Sequence, residues 1–192
     1  KERHGDMAAE ATSHWVFGYG SLIWKPGFPF IRKAPALLNG AHRSLCIYSH
    51  RHRGTEAQPG LVFGLVRGGS CRGMAFEVED RLWPEVVDYL RERELDKGVY
   101  REQLRPVRVD GLGPADALVF LVDEKHAQYA GRLAIAEQAR LVRAGRGEAG
   151  PNTEYVLETA RTLRAMGIRD RYLDELVVTL GGTDLPVTAQ SL

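Results

Sequence analysis

Short apolar runs separated by polar breaks fill the first two thirds of the chain, and helical spacing dominates the rest. Six runs rich in Val, Leu, Ile and Phe read as strands: residues 15–18, 41–49, 60–66, 73–78, 107–109 and 117–122. Gly or Pro bounds many of them, as expected where strands end in turns. Residues 51–59 read as a polar loop, and Gly68-Gly69-Ser70 predicts a hairpin connection between the third and fourth runs. Apolar positions recur at helical spacing over residues 80–94, 126–143, 152–166 and 169–179. Asp80 and Asn152 stand where helix caps belong, and Pro84 must sit in a first turn. A mixed sheet closing into a small β-barrel, with helices around it, accommodates these elements as an α+β fold.

The helix over residues 80–94 contains an anomaly. On a wheel of ~100° per residue with Leu82 at zero, Val86, Leu90, Trp83 and Val87 fall between ~40° and ~140°. Arg91, Asp88, Glu92 and Glu85 occupy the other face, from ~180° to ~300°. Glu94 lands near ~120°, between Trp83 and Val87, and Arg93 near ~20°. Two charged residues therefore end a stripe that faces the core. Burial raises a carboxyl pKa because desolvation disfavours the charged form, and a helix C-terminus pushes the same way. Arg93 would oppose both. A carboxyl tuned upward suits proton transfer near neutral pH. The plainer alternatives are an Arg93–Glu94 ion pair, or a helix that stops short of Glu94 and leaves it in water.

Composition narrows the class. At 192 residues the chain is long enough for a real core, and residues 15–180 read as a single domain. Lys plus Arg total 26 and Asp plus Glu 25, with no basic stripe, so neither nucleic acid nor an anionic membrane is an expected partner. The longest apolar run falls far short of a membrane span. Cys46 and Cys71 lack C-x-x-C spacing and read as buried thiols of a cytoplasmic protein, with a disulfide as the alternative. Neither suits a nucleophile, because apolar surroundings disfavour a thiolate. Residues 1–6 are polar and precede Met7, which reads as the native start. Residues 1–14 are taken as a cloning remnant and lead-in, and residues 181–192 as a tail, mobile or draped over the surface.

The string Trp15-Val16-Phe17-Gly18-Tyr19-Gly20-Ser21-Leu22-Ile23-Trp24 concentrates the candidate chemistry. Glycines at alternate positions permit positive φ and close approach of a ligand. Successive N–H groups in such a turn can converge on an anion or a carbonyl oxygen. A tight turn off a core strand is the plainer reading. Other motifs fail their context. Gly145-x-Gly147-x-x-Gly150 follows a helical stretch with no βαβ unit around it. His50-Arg51-His52 lacks further metal ligands and reads as a polar loop. Ser21 is not in a Gly-x-Ser-x-Gly elbow.

Taken together, the motifs resemble those of the ChaC-type γ-glutamylcyclotransferases, the branch associated with glutathione. The likeness runs from about residue 15 to about residue 176. It begins with Gly18-Tyr19-Gly20-Ser21-Leu22-Ile23-Trp24-Lys25-Pro26-Gly27-Phe28 and His42-Arg43. It continues through Ser49, His52-Arg53-Gly54-Thr55, Pro59-Gly60-Leu61-Val62-Phe63-Gly64-Leu65 and Gly68-Gly69-Ser70-Cys71-Arg72-Gly73. Tyr89-Leu90, Arg93-Glu94, Gly98-Val99-Tyr100, Gly150-Pro151-Asn152, Tyr155, Gly167-Ile168 and Asp170 complete it. Met74 and Phe76 depart from the pattern in ways that concern packing.

The resemblance implies a barrel-containing fold and cleavage of glutathione to 5-oxoproline and Cys-Gly, with no cofactor and no metal. It implies that Gly18, Tyr19, Gly20, Ser21, Leu22 and Ile23 form a γ-glutamyl-binding loop, and that Tyr155 lines the pocket. It makes Glu94 the acid–base group, with Glu92 and Glu102 nearby; the wheel turns Glu92 outward. Leu22, Ile23 and a Trp would keep water from the reaction. Arg43 and Arg53 occupy motif positions without an assigned role. The implied partner is glutathione; the sequence leaves the oligomeric state open, with a monomer favoured. Two alternatives remain at this stage: a cyclotransferase for other γ-glutamyl amino acids or amines, and a non-catalytic γ-glutamyl-binding regulatory protein.

Overall fold

A computed structural model of the chain describes residues 12–95 and 98–181. The expected leader before residue 12 and the tail beyond residue 181 lie outside the described residues. Five strands, β1 (Ser13–Gly18), β2 (Arg32–Ser49), β3 (Gly60–Glu79), β4 (Tyr100–Val109) and β5 (Gly113–Val122), close into a barrel in the order β1-β3-β2-β4-β5. Neighbours are antiparallel except at the seam, where β1 runs parallel to β5 with Val16 opposite Leu118. The sheet is thus mixed, and the α+β barrel expectation holds. Phe17, Phe63, Phe76 and Phe120 are among the fully buried side chains that fill it.

The expected hairpin at Gly68-Gly69-Ser70 does not exist. β3 continues through it, and β2 pairs on both sides, Ala41 with Arg67 and Asn39 with Ser70. Gly68 and Gly69 have φ of +98° and +69°, and they kink the strand instead of reversing it. Positive φ serves a bulge as well as a turn, and only the partner strand decides which forms. β2 and β4 are also longer than their apolar runs. Arg101, Gln103 and Leu104 are exposed on β4, so that half of the strand carries no continuous apolar signal.

Four helices follow the barrel strands or pack around them: α1 (Trp83–Leu95), α2 (Ile135–Ala144), α3 (Asn152–Ala165) and α4 (Arg171–Thr179). A 3₁₀ turn, Asp80–Leu82, leads into α1, and Pro84 occupies its first turn. Asp80 does not cap; its carboxylate accepts from His14 Nε2 at 2.7 Å. The helix expected from residue 126 starts only at Ile135. Residues 128–130 instead bond the backbone of β2, with Tyr48 N donating to Gln128 O (2.9 Å) and Ala130 N to Cys46 O (2.7 Å). Asn152 is the first residue of α3, after Pro151, and does not cap it. Its buried amide takes Leu61 N at 2.7 Å and donates to Leu61 O at 2.8 Å, which docks α3 onto β3. Asp170 does cap α4, accepting from Leu173 N at 3.1 Å.

Cys46 and Cys71 are free and buried, and burial pushes the Cys46 thiol up to about 12. No helix among the described residues is long and apolar enough to cross a membrane.

Candidate active site

Strand directions bring five chain ends to one mouth of the barrel. β1, β2 and β5 finish there, at Gly18, Ser49 and Val122, and β3 and β4 begin there, at Gly60 and Tyr100. A cavity of about 380 Å³ opens at this mouth, lined among others by Ser21, Tyr89, Glu94, Tyr100 and Tyr155.

The turn after β1 is built by packing on both sides. Residues Ser21–Ile23 make one 3₁₀ turn, closed by Ile23 N donating to Gly20 O at 3.0 Å. The amides of Ser21 and Leu22 open that turn and have no acceptor within it. Leu22 and Ile23 are buried in the core behind the turn, so their side chains do not line the cavity. Positive φ, expected at Gly18 and Gly20, occurs at neither. Closeness requires them instead. A Cβ on Gly18 would lie 3.1 Å from Leu22 Cβ, and one on Gly20 3.3 Å from Tyr155 Oη.

Arg43, in β2, holds the turn from below with a side chain only 1 % exposed. Its Nε donates to Tyr19 O at 2.6 Å, its Nη2 to Arg72 O at 2.6 Å, and its Nη1 to the Asp170 carboxylate. One guanidinium thus joins the turn, β3 and the cap of α4, with each of its three nitrogens donating one hydrogen bond.

α1 delivers the carboxyl group. The helix runs through Leu95, so Glu94 remains helical and turns toward the barrel mouth while Glu92 is exposed. The Glu94 side chain is 14 % exposed, and among the described residues its carboxylate accepts no hydrogen bond. Arg93 does lie beside it, Nε to Oε1 at 3.5 Å, but the guanidinium is engaged elsewhere. Nη1 donates to Lys25 O (2.7 Å), Pro26 O (3.1 Å) and Tyr89 Oη (3.1 Å), and Nη2 to Ser21 Oγ (2.9 Å). Arg93 therefore ties the turn to the end of α1. Burial raises the Glu94 pKa above the ordinary carboxylate value, and the Arg93 charge offsets only part of that rise.

Three tyrosines surround this carboxyl. Burial, with the Glu94 charge adding to it, raises the pKa of Tyr19, Tyr100 and Tyr155, so all three stay protonated. Tyr100 Oη donates to Phe63 O at 2.9 Å, and Tyr155 Oη accepts from Phe63 N at 2.9 Å. Tyr19 stands close enough to Tyr100 for each phenol to influence the other's titration.

Of the residues singled out from the sequence, Ser21, Glu94 and Tyr155 share the cavity wall, Tyr19 stands next to Tyr100, and Gly18, Gly20, Leu22 and Ile23 shape the turn. Tyr100 and Arg53 escaped the reading of single residues. Arg53 comes from the polar loop yet is 6 % exposed, donating to Pro151 O at 3.0 Å with its guanidinium 5.6 Å from the Tyr155 ring centre. Its position in the His52-Arg53-Gly54-Thr55 string was its single signal.

The sequence model of the ChaC-like protein family matches residues 14–182. The glutathione-specific γ-glutamylcyclotransferase of Escherichia coli is 31% identical over 166 residues, 86% of this chain and 72% of that protein. The glutathione-specific γ-glutamylcyclotransferase 1 of Danio rerio is 31% identical over 188 residues, 95% and 96% of the two chains. The crystal structure of a yeast γ-glutamyl cyclotransferase specific to glutathione shares the fold, with a TM-score of 0.80 at 23% identity over 88% of this chain and 96% of that one.

Proposed function

This chain belongs to the ChaC-like protein family, and from that premise we propose that it cleaves glutathione to 5-oxoproline and Cys-Gly with Glu94 as the acid–base group. Relatives named for this activity align with most of the chain, which supports the substrate. The observation that carries the site is a carboxylate only 14 % exposed, free of hydrogen bonds among the described residues, on the wall of a 380 Å³ cavity.

The substrate brings its own nucleophile. Its α-ammonium gives a proton to the Glu94 carboxylate, and the free amine attacks the γ-carbonyl carbon. The bond to the cysteinyl nitrogen then breaks as that nitrogen takes a proton from the Glu94 carboxyl. Two protons leave the ammonium nitrogen over the cycle and two reach the departing amine, so Glu94 ends as it began. A carboxyl with a raised pKa is suited to both halves of that exchange. Ring closure is intramolecular, so the main task is holding the substrate folded. The Ser21 and Leu22 amides are assigned to the γ-glutamyl carboxylate or the developing oxyanion. Arg93, fixed to Ser21 Oγ, keeps donor and carboxylate in register. Trp24, on the cavity wall with its indole N–H donating to Thr159 Oγ1 at 3.1 Å, excludes water; Leu22 and Ile23 act behind it as packing. Buried free thiols suit a reducing compartment, and a cytoplasmic location goes with this reading.

The test is incubation with glutathione, following Cys-Gly and 5-oxoproline together, beside a panel of γ-glutamyl amino acids and amines. Equal release of both products from glutathione, with little turnover of the panel, is the expected result. Turnover of the panel alone would move the substrate assignment to another γ-glutamyl donor. Binding of glutathione without either product would remove catalysis.

A further inference from the structure

A second cavity, about 310 Å³, opens between β3 and β4 and shares no lining residue with the first. Its wall carries three arginines, Arg67, Arg101 and Arg105, with Gln103 between the last two. Period-2 alternation puts Arg101, Gln103 and Arg105 on one face of β4. The opening has a structural origin. β2 pairs with β4 only over Ala36–Leu38, opposite Val107–Val109, so the first half of β4 is not laddered to it.

The bulge in β2 aims two of the arginines at each other's neighbourhood. The register between β2 and β3 shifts between Asn39 and Ala41. Gly40, at φ +88°, leaves room for the Arg105 guanidinium, since a Cβ there would lie 2.8 Å from Nη2. Arg105 Nη2 donates to Asn39 O at 3.3 Å, and Arg67 stands directly opposite Ala41. Bulges commonly re-aim side chains beside functional sites.

The charges of the cleft are unevenly matched. Arg101 is paired with Asp123 at 2.7 Å. Glu124, also on the wall, accepts from Tyr129 Oη at 3.3 Å. Among the described residues the Arg105 side chain has only a neutral carbonyl partner, and the Arg67 side chain has neither a hydrogen-bond nor an ion-pair partner. A guanidinium fork matches phosphate oxygens two at a time, and it is more weakly hydrated than an ammonium. The size of the cavity and the carboxylates at its rim favour a small ligand over a polyanionic chain.

We propose that this cleft binds a phosphate-bearing small molecule, its phosphoryl group held between Arg67 and Arg105 and its polar remainder reaching Gln103 and Glu124. Titration calorimetry of the full chain with inorganic pyrophosphate at low ionic strength tests this. Saturable binding that weakens with added salt is expected. Losing one charge-assisted contact weakens it by about 10-fold in Arg67→Gln, an exposed position whose side chain makes no hydrogen bond or ion pair among the described residues, and similarly in Arg105→Gln. Binding should persist in Glu94→Gln with glutathione present at saturation. No saturable heat, equal affinity in Arg67→Gln, or displacement by glutathione would each overturn the proposal, the last by assigning the anion to the first cavity.

Discussion

Glu94 sits in the last turn of α1, 14 % exposed and 3.5 Å from one nitrogen of Arg93. Replacing it with Gln keeps the shape and removes the proton carrier. Glu94→Gln is expected to lose at least about 100-fold in 5-oxoproline release while staying folded. Glu92→Gln, on the exposed face, is expected to be near normal; a large loss there would mean that the inward face of α1 has been misassigned. The raised pKa sets two pH effects. The acid limb of kcat/KM should lie above the ordinary carboxylate value, because Glu94 must lose its proton before it can take one. Stability runs the other way. A folded-state pKa above the unfolded one means that folding is favoured by the protonated form, so this contribution is full at low pH and is lost as pH rises through the folded pKa. Glu94→Gln should therefore melt at a higher temperature than the parent chain at pH 8, and the gap should close below the ordinary carboxylate pKa. Periodicity of 3.6 residues turned Glu94 inward on the condition that the helix reached it, and the structure meets that condition by carrying α1 through Leu95. Three of the four hydrogen bonds that hold Arg93 were not legible, because their acceptors, Lys25 O, Pro26 O and Ser21 Oγ, lie about seventy residues away; the fourth, Tyr89 Oη, stands one helical turn back.

At the scale of elements, glycines and one amide decide how strands and helices meet. A Cβ on Gly73 would lie 2.4 Å from Gly18 O, where β3 passes the end of β1. Backbone cannot yield there as a flexible side chain can. Gly73→Ala is expected to cost about 1–3 kcal/mol in urea unfolding and to lower activity, because the displaced atom belongs to the turn. Asn152→Ala leaves both the N–H and the C=O of Leu61 without their partner and should cost about 2 kcal/mol or more, read from the same transition. The apolar runs located strands wherever both faces are buried, as in 60–66 and 117–122. They missed the exposed half of β4 and turned the kink of β3 into a hairpin. They also extended α2 backwards over residues whose amides in fact bond β2. Each miss has one cause: a local pattern reports what a segment can do, and a neighbouring strand selects among the options.

The molecule as a whole is joined at Arg43, where the turn after β1, β3 and α4 meet on one guanidinium. Arg43→Met would leave the Asp170 carboxylate and two carbonyls without their donor, and a loss of about 3–5 kcal/mol is expected. Arg43→Lys, which restores the charge but not the fork, should recover part of the stability and less of kcat/KM; equal recovery of both would mean that Arg43 does not position the turn. What the sequence determined by itself was the material of this protein: an α+β composition, a glycine-bearing turn after a core strand, an inward carboxyl on an amphipathic helix, and the motif order that marks its family. These follow from nearest-neighbour physics, in which steric preference and burial act over a few residues. The tertiary structure alone decided that the turn, Glu94 and Tyr155 share one cavity. It also decided that Gly18 and Gly20 serve close packing and that Arg43, Arg53 and Arg93 are fastened where they are. Those outcomes depend on the closure of the barrel, which brings residues far apart in sequence within hydrogen-bonding distance and which no local window of the chain contains.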